Sequence, residues 1–105
     1  MHRTFDTDDD TRRLFDIVGW CLERYFGHTD ESATAAINAY YHRFSSLHDD
    51  DVYHELGPYF SALRIHYVID LGGTLNRFPL WRHEAGYLRE PPESLEYFRE
   101  NYFRK

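Results

Sequence analysis

The sequence predicts an all-α domain of about four helices, on three observations. Apolar residues recur at intervals of three and four in stretches that begin near residues 9, 30, 57 and 93. Glycine and proline punctuate their ends, at Gly27, Gly57-Pro58, Gly72-Gly73 and Pro91-Pro92. The connections between the early stretches are short, which favours antiparallel neighbours. A chain of 105 residues makes one domain, and folding it buries about 65% of the surface its unfolded form exposes.

Residues 1–7 are expected to be a loosely held arm. The first helix, 9–26, starts on Asp8, Asp9 and Asp10, whose carboxylates suit the positive end of a helix dipole. Leu14, Ile17, Val18, Cys21, Leu22 and Tyr25 then fall on one face, and Gly27 ends it. The second helix, 30–46, is capped by Thr29 or Asp30 and carries Ala33, Ala36, Ile37, Tyr40, Phe44 and Leu47. Between it and the third lies His48-Asp49-Asp50-Asp51, read as a solvated start to a short turn.

The third helix, 57–71, is the best punctuated and is expected to be central. Pro58 occupies a first helical position, where its missing N–H costs nothing, and Gly72-Gly73 closes the helix. Phe60, Leu63, Tyr67 and Leu71 form its stripe, widened by Tyr59 and Val68. Residues 74–92 show no sustained period, yet Phe78, Leu80, Trp81, Tyr87 and Leu88 are costly to leave in water, so an ordered loop folded over the helices is expected. The last helix, 93–103, carries Leu95, Phe98, Tyr102 and Phe103.

Composition excludes several functions. The net charge is −6, and residues 1–57 hold twelve acidic and five basic side chains against six and seven in the remainder. Generic nucleic-acid or anionic-membrane binding needs the opposite sign. No run is long enough to span a bilayer, and the acidic start lacks a secretory core, so a cytoplasmic location is expected. The lone Cys21 makes no internal disulfide and is expected to be buried. Ser61 lacks the flanking glycines of a nucleophile elbow.

Two readings of function follow. Nine Tyr and two Trp on an acidic domain suit a module that binds a basic protein, or a homodimer, through aromatic anchors. The contact residues expected are Asp49, Asp50, Asp51, Tyr53 and Glu55, helped by Asp30 and Glu31. In size and charge alone the chain resembles the small acidic immunity proteins with which bacteria neutralise basic toxins. No cofactor is required by that reading. The alternative is a divalent transition metal held by His and carboxylate ligands, for which His54, His66, Asp70 and His83 are the candidates. His66 and Asp70 are four apart and share a helical face. Arg82 and its neighbours among Arg77, Arg89, Arg99 and Arg104 are expected to pair with Glu84, Glu90, Glu93 and Glu96 of the same segment.

Overall fold

The computed structural model describes residues 9–43 and 57–102, with side chains from residue 12 onward. These residues form α1 (Asp9–Tyr25), α2 (Asp30–Arg43), α3 (Pro58–Ile65), which runs on into a π turn (His66–Asp70), a 3-10 turn (Leu75–Arg77), α4 (Phe78–Glu84) and α5 (Pro92–Tyr102). There is no strand among the described residues. The all-α class is therefore as expected, with five α-helices among the described residues where about four were expected.

α1 is the hub. It packs against α2, α3 and α5, whereas the expected centre, α3, meets α1 and α2. Leu14, Ile17, Val18, Cys21 and Leu22 are buried as their spacing predicts, and Phe15, just outside that stripe, is fully buried too. Its ring meets Tyr41 of α2 edge-on at 6.1 Å. Around Gly27, whose φ is 74°, the N–H groups of Phe26 and His28 both donate to the Leu22 carbonyl at 3.1 and 3.2 Å. A left-handed residue of this kind closes a helix with little strain only when it is glycine.

Thr29 caps α2. Ser32 N–H donates to Thr29 Oγ1 at 3.1 Å and Thr29 N–H donates to Ser32 Oγ at 2.9 Å, so two otherwise unpaired donors are satisfied reciprocally. Ala33, Ala36, Ile37 and Tyr40 are its buried residues. The expected core residues Phe44 and Leu47 lie outside the described residues.

α3 is buried nearly all round, at Pro58, Tyr59, Ser61, Ala62, Leu63 and Ile65. The expected stripe through Phe60 and Leu71 is corrected: Phe60 is half-buried and Leu71 is 55% exposed. Leu71 follows the π turn, where the chain leaves the core. The Leu71 N–H reaches back to the His66 carbonyl at 3.1 Å, a five-residue spacing that an α-helix does not use. Gly73 N–H then donates to Tyr67 O at 2.9 Å.

The expected loop at 74–92 contains α4. Pro79 sits in its first turn, where a proline is harmless. A helix of seven residues is too short to show a period. Of its apolar residues only Phe78 is buried; Trp81 and Tyr87 pack partly against the core, while Leu80 and Leu88 are 56% and 55% exposed.

α5 docks on α1. Arg24 grips Glu93 with two hydrogen bonds of 2.7 and 3.1 Å, Tyr25 Oη donates to Glu93 Oε1 at 2.9 Å, and Trp20 stacks on Tyr97 at 3.9 Å. The expected pairing of arginines within the second half is therefore corrected at Glu93, which is held by α1. Arg82 instead donates to Tyr87 O at 2.9 Å and lies over the Phe60 ring at 3.8 Å. No described helix is long and apolar enough to cross a membrane.

Candidate functional site

The π turn departs from regular helix and carries an imidazole and a carboxylate. His66 and Asp70 are its first and last residues. His66 Nδ1 lies 2.7 Å from Asp70 Oδ2. The helical spacing that suggested this pair in the sequence is thus used.

A third residue joins them from the corner between α1 and α2. The Gly27 turn and the Thr29 cap bracket His28, and α2 packs against the π turn. His28 Nε2 comes within 2.6 Å of the same Asp70 oxygen. Its other nitrogen, Nδ1, is 2.9 Å from Ser32 Oγ. Asp70 Oδ2, a carboxylate oxygen, accepts from both imidazoles, at His28 Nε2 and at His66 Nδ1. Ser32 Oγ also accepts from the Thr29 N–H and donates to the Thr29 carbonyl at 3.3 Å.

The three side chains are largely covered. The His28, His66 and Asp70 side chains are 8%, 20% and 28% exposed. Phe26 stacks on the His66 ring at 4.9 Å and 21°, which fixes its plane and shields one face. His66 Nε2 makes no hydrogen bond to a described residue.

One ligand atom from each of His28, His66 and Asp70 lies within 4.8 Å of the others. Two imidazoles and a carboxylate are the donor set of zinc, manganese and non-haem iron sites. A metal held here would bind neutral imidazoles through the nitrogens that now face Asp70, each ring then carrying its proton on its other nitrogen. Metal-bound through Nε2, His28 would donate from Nδ1 to Ser32 Oγ, the outer hydrogen bond that usually orients a ligating imidazole.

Of the residues expected for a metal, His66 and Asp70 are here. His83, exposed in the last turn of α4, is not part of the cluster. His54 lies outside the described residues, as do Asp49, Asp50, Asp51, Tyr53 and Glu55. Asp30 and Glu31 are exposed in the first turn of α2. His28 was missed because it lies in a turn, outside any periodic face. Ser32 four residues on was the one local sign of a held imidazole, and nothing in the sequence joins it to Asp70.

The cysteine is chemically quiet. Cys21 is fully buried, and burial pushes its thiol up to about 12, opposed by the Ser94 hydroxyl 3.8 Å away.

No family model, no characterised protein and no solved structure matches this chain.

Proposed function

We propose that the protein binds one divalent transition-metal ion through His28 Nε2, His66 Nδ1 and the Asp70 carboxylate, leaving positions open for water or a substrate oxygen. The observation that carries this reading is that two imidazoles and one carboxylate, His28 from the corner before α2 and His66 and Asp70 from the π turn, bring one ligand atom each to within 4.8 Å of one another. Three protein ligands with a partly open face are the arrangement of catalytic zinc sites rather than closed structural ones. Such an ion lowers the pKa of bound water and polarises a carbonyl or phosphoryl oxygen. Hydrolytic or Lewis-acid chemistry is therefore the class to test.

The test is metal content by mass spectrometry on protein purified without a histidine tag, with thermal melts before and after chelation. One ion per chain is expected, and re-adding zinc or manganese to about a hundred times Kd should stabilise the fold by roughly 2.7 kcal/mol. His28→Ala and Asp70→Ala should abolish that gain. Protein that takes up neither ion, with an unchanged melt, overturns the reading.

The interaction reading retains support from Asp30 and Glu31, which project as an exposed acidic pair at the positive end of α2, and from the net charge of −6. A basic protein partner, including a toxin of the kind immunity proteins neutralise, would be drawn to that charge. Reversing Asp30 and Glu31 to Lys should slow association and flatten its salt dependence; an unchanged association rate removes them from the contact.

A further inference from the structure

A second cleft, unconnected to the argument for a metal, lies against α4. It encloses about 390 Å³ and is lined by Tyr67, Thr74, Arg77, Leu80, Trp81 and Glu84, with Gly72 and Gly73 on its rim. That volume is at the lower end of small-ligand pockets.

Its walls are of two kinds. One is aromatic: Tyr67 and Trp81 stack at 4.4 Å and 24°. Gly73 lets the Tyr67 ring lie there, since a Cβ at that position would overlap the ring. The other kind is charged, and its arrangement follows from helix geometry. Arg77 immediately precedes α4 and Glu84 is its last residue; the spacing Arg77, Leu80, Trp81, Glu84 is that of one helical face. Seven residues of rise set the backbones of Arg77 and Glu84 about 10 Å apart along the axis. Neither side chain makes an ion pair or hydrogen bond with a described residue. The cleft therefore has a cationic end, an aromatic and aliphatic middle and an anionic end.

We propose that this cleft binds a short peptide with both termini free, its carboxylate at Arg77, its ammonium at Glu84 and an apolar side chain against Trp81. An extended chain covers about 3.3–3.6 Å per residue, so a tripeptide matches the roughly 10 Å of helix between Arg77 and Glu84. A lone anion would meet Arg77 and leave Glu84 unanswered; a lone cation would do the reverse. The zwitterion answers both, and guanidinium and carboxylate contacts of this kind are the stronger class of hydrogen bond.

The experiment uses the tripeptide Ala-Phe-Ala, its N-acetyl form and its C-terminal amide, titrated into Trp20→Phe protein so that Trp81 alone reports by fluorescence. The free tripeptide should change Trp81 emission saturably, and blocking either terminus should weaken binding about tenfold. Arg77→Gln should erase the penalty for amidation and leave that for acetylation, and Glu84→Gln should do the opposite. Thermal melts of the variants confirm that both exposed substitutions leave the fold intact. No Trp81 response at millimolar tripeptide overturns the proposal, as does equal binding of all three peptides or equal discrimination by both variants. The metal state of the protein does not enter these outcomes.

Discussion

His28 and Asp70 stand 42 positions apart in the sequence and 2.6 Å apart in the fold. The contact ties the corner between α1 and α2 to the far end of the π turn, and it gives a mobile class of residue, an imidazole in a turn, only 8% exposure. Two consequences separate here: the pair contributes to stability whether or not an ion binds, and it holds the ligand set in place for one.

A double-mutant cycle measures the first. With chelator present, His28→Ala and Asp70→Ala should each cost about 1–3 kcal/mol in urea unfolding, because each removal strands a partner away from bulk water. The coupling between them should fall at about 0.5–3 kcal/mol. A coupling indistinguishable from zero would show that the contact does not stabilise the fold.

Gly73 is constrained by sterics. A Cβ there meets the Tyr67 ring, and Tyr67 is buried between Phe78 and Trp81. Gly73→Ala should destabilise by about 1–3 kcal/mol, and the loss should shrink in a Tyr67→Ala background. An equal cost in both backgrounds would point to the backbone instead of the ring.

Cys21 should resist labelling. Its thiol is shifted to about 12 by burial, so almost no thiolate exists at pH 8, and the sulfur is fully covered. A disulfide reagent should react with unfolded protein at once and with folded protein only at the rate of opening. Rapid reaction of the native protein would contradict the packing of α5 over α1.

Glu90 and Glu93 should respond to pH with opposite signs. Burial raises the Glu90 carboxyl above its ordinary 4.5, against the lowering effect of the Ser94 hydroxyl. The folded state then binds the proton more readily than the unfolded, so this contribution to stability falls as pH rises above about 4.5. Glu90→Gln should stabilise at pH 7 and have no effect below pH 4. Hydrogen bonds from Arg24 and then Tyr25 hold the exposed Glu93 carboxyl below 4.5. Its stabilisation is present above that value and lost as pH falls below it, so Glu93→Gln should destabilise at pH 7 and be neutral in acid. Thermal melts at the two pH values check both; shifts of the same sign would refute the assignment.

The parts of the fold legible in the sequence are those where one helix buries one face. Leu14, Ile17, Val18, Cys21 and Leu22 are such a face, and Thr29 and Pro58 are caps whose roles depend only on local chemistry. What was not legible depended on three-dimensional neighbours. α3 is enclosed on most sides, so its periodicity could not say which face is core, and the stripe through Leu71 was wrong. α4 was hidden because Pro79 in its first turn looks like a break. In the candidate site, His66 and Asp70 were visible through their helical spacing. His28 was not, since its place depends on how α2 packs against the π turn, and His83 was chosen because it lay in a segment expected to fold back.

The seating of α5 on α1 has a consequence for a chain leaving the ribosome. Cys21 meets Ser94 across 73 positions, and Arg24 meets Glu93 across 69. At about 5–20 residues per second of synthesis, the face of α1 that takes α5 waits roughly 4 to 15 seconds for its cover. During that interval Trp20 and the thiol of Cys21 stand open to chaperones, to oxidants and to other nascent chains.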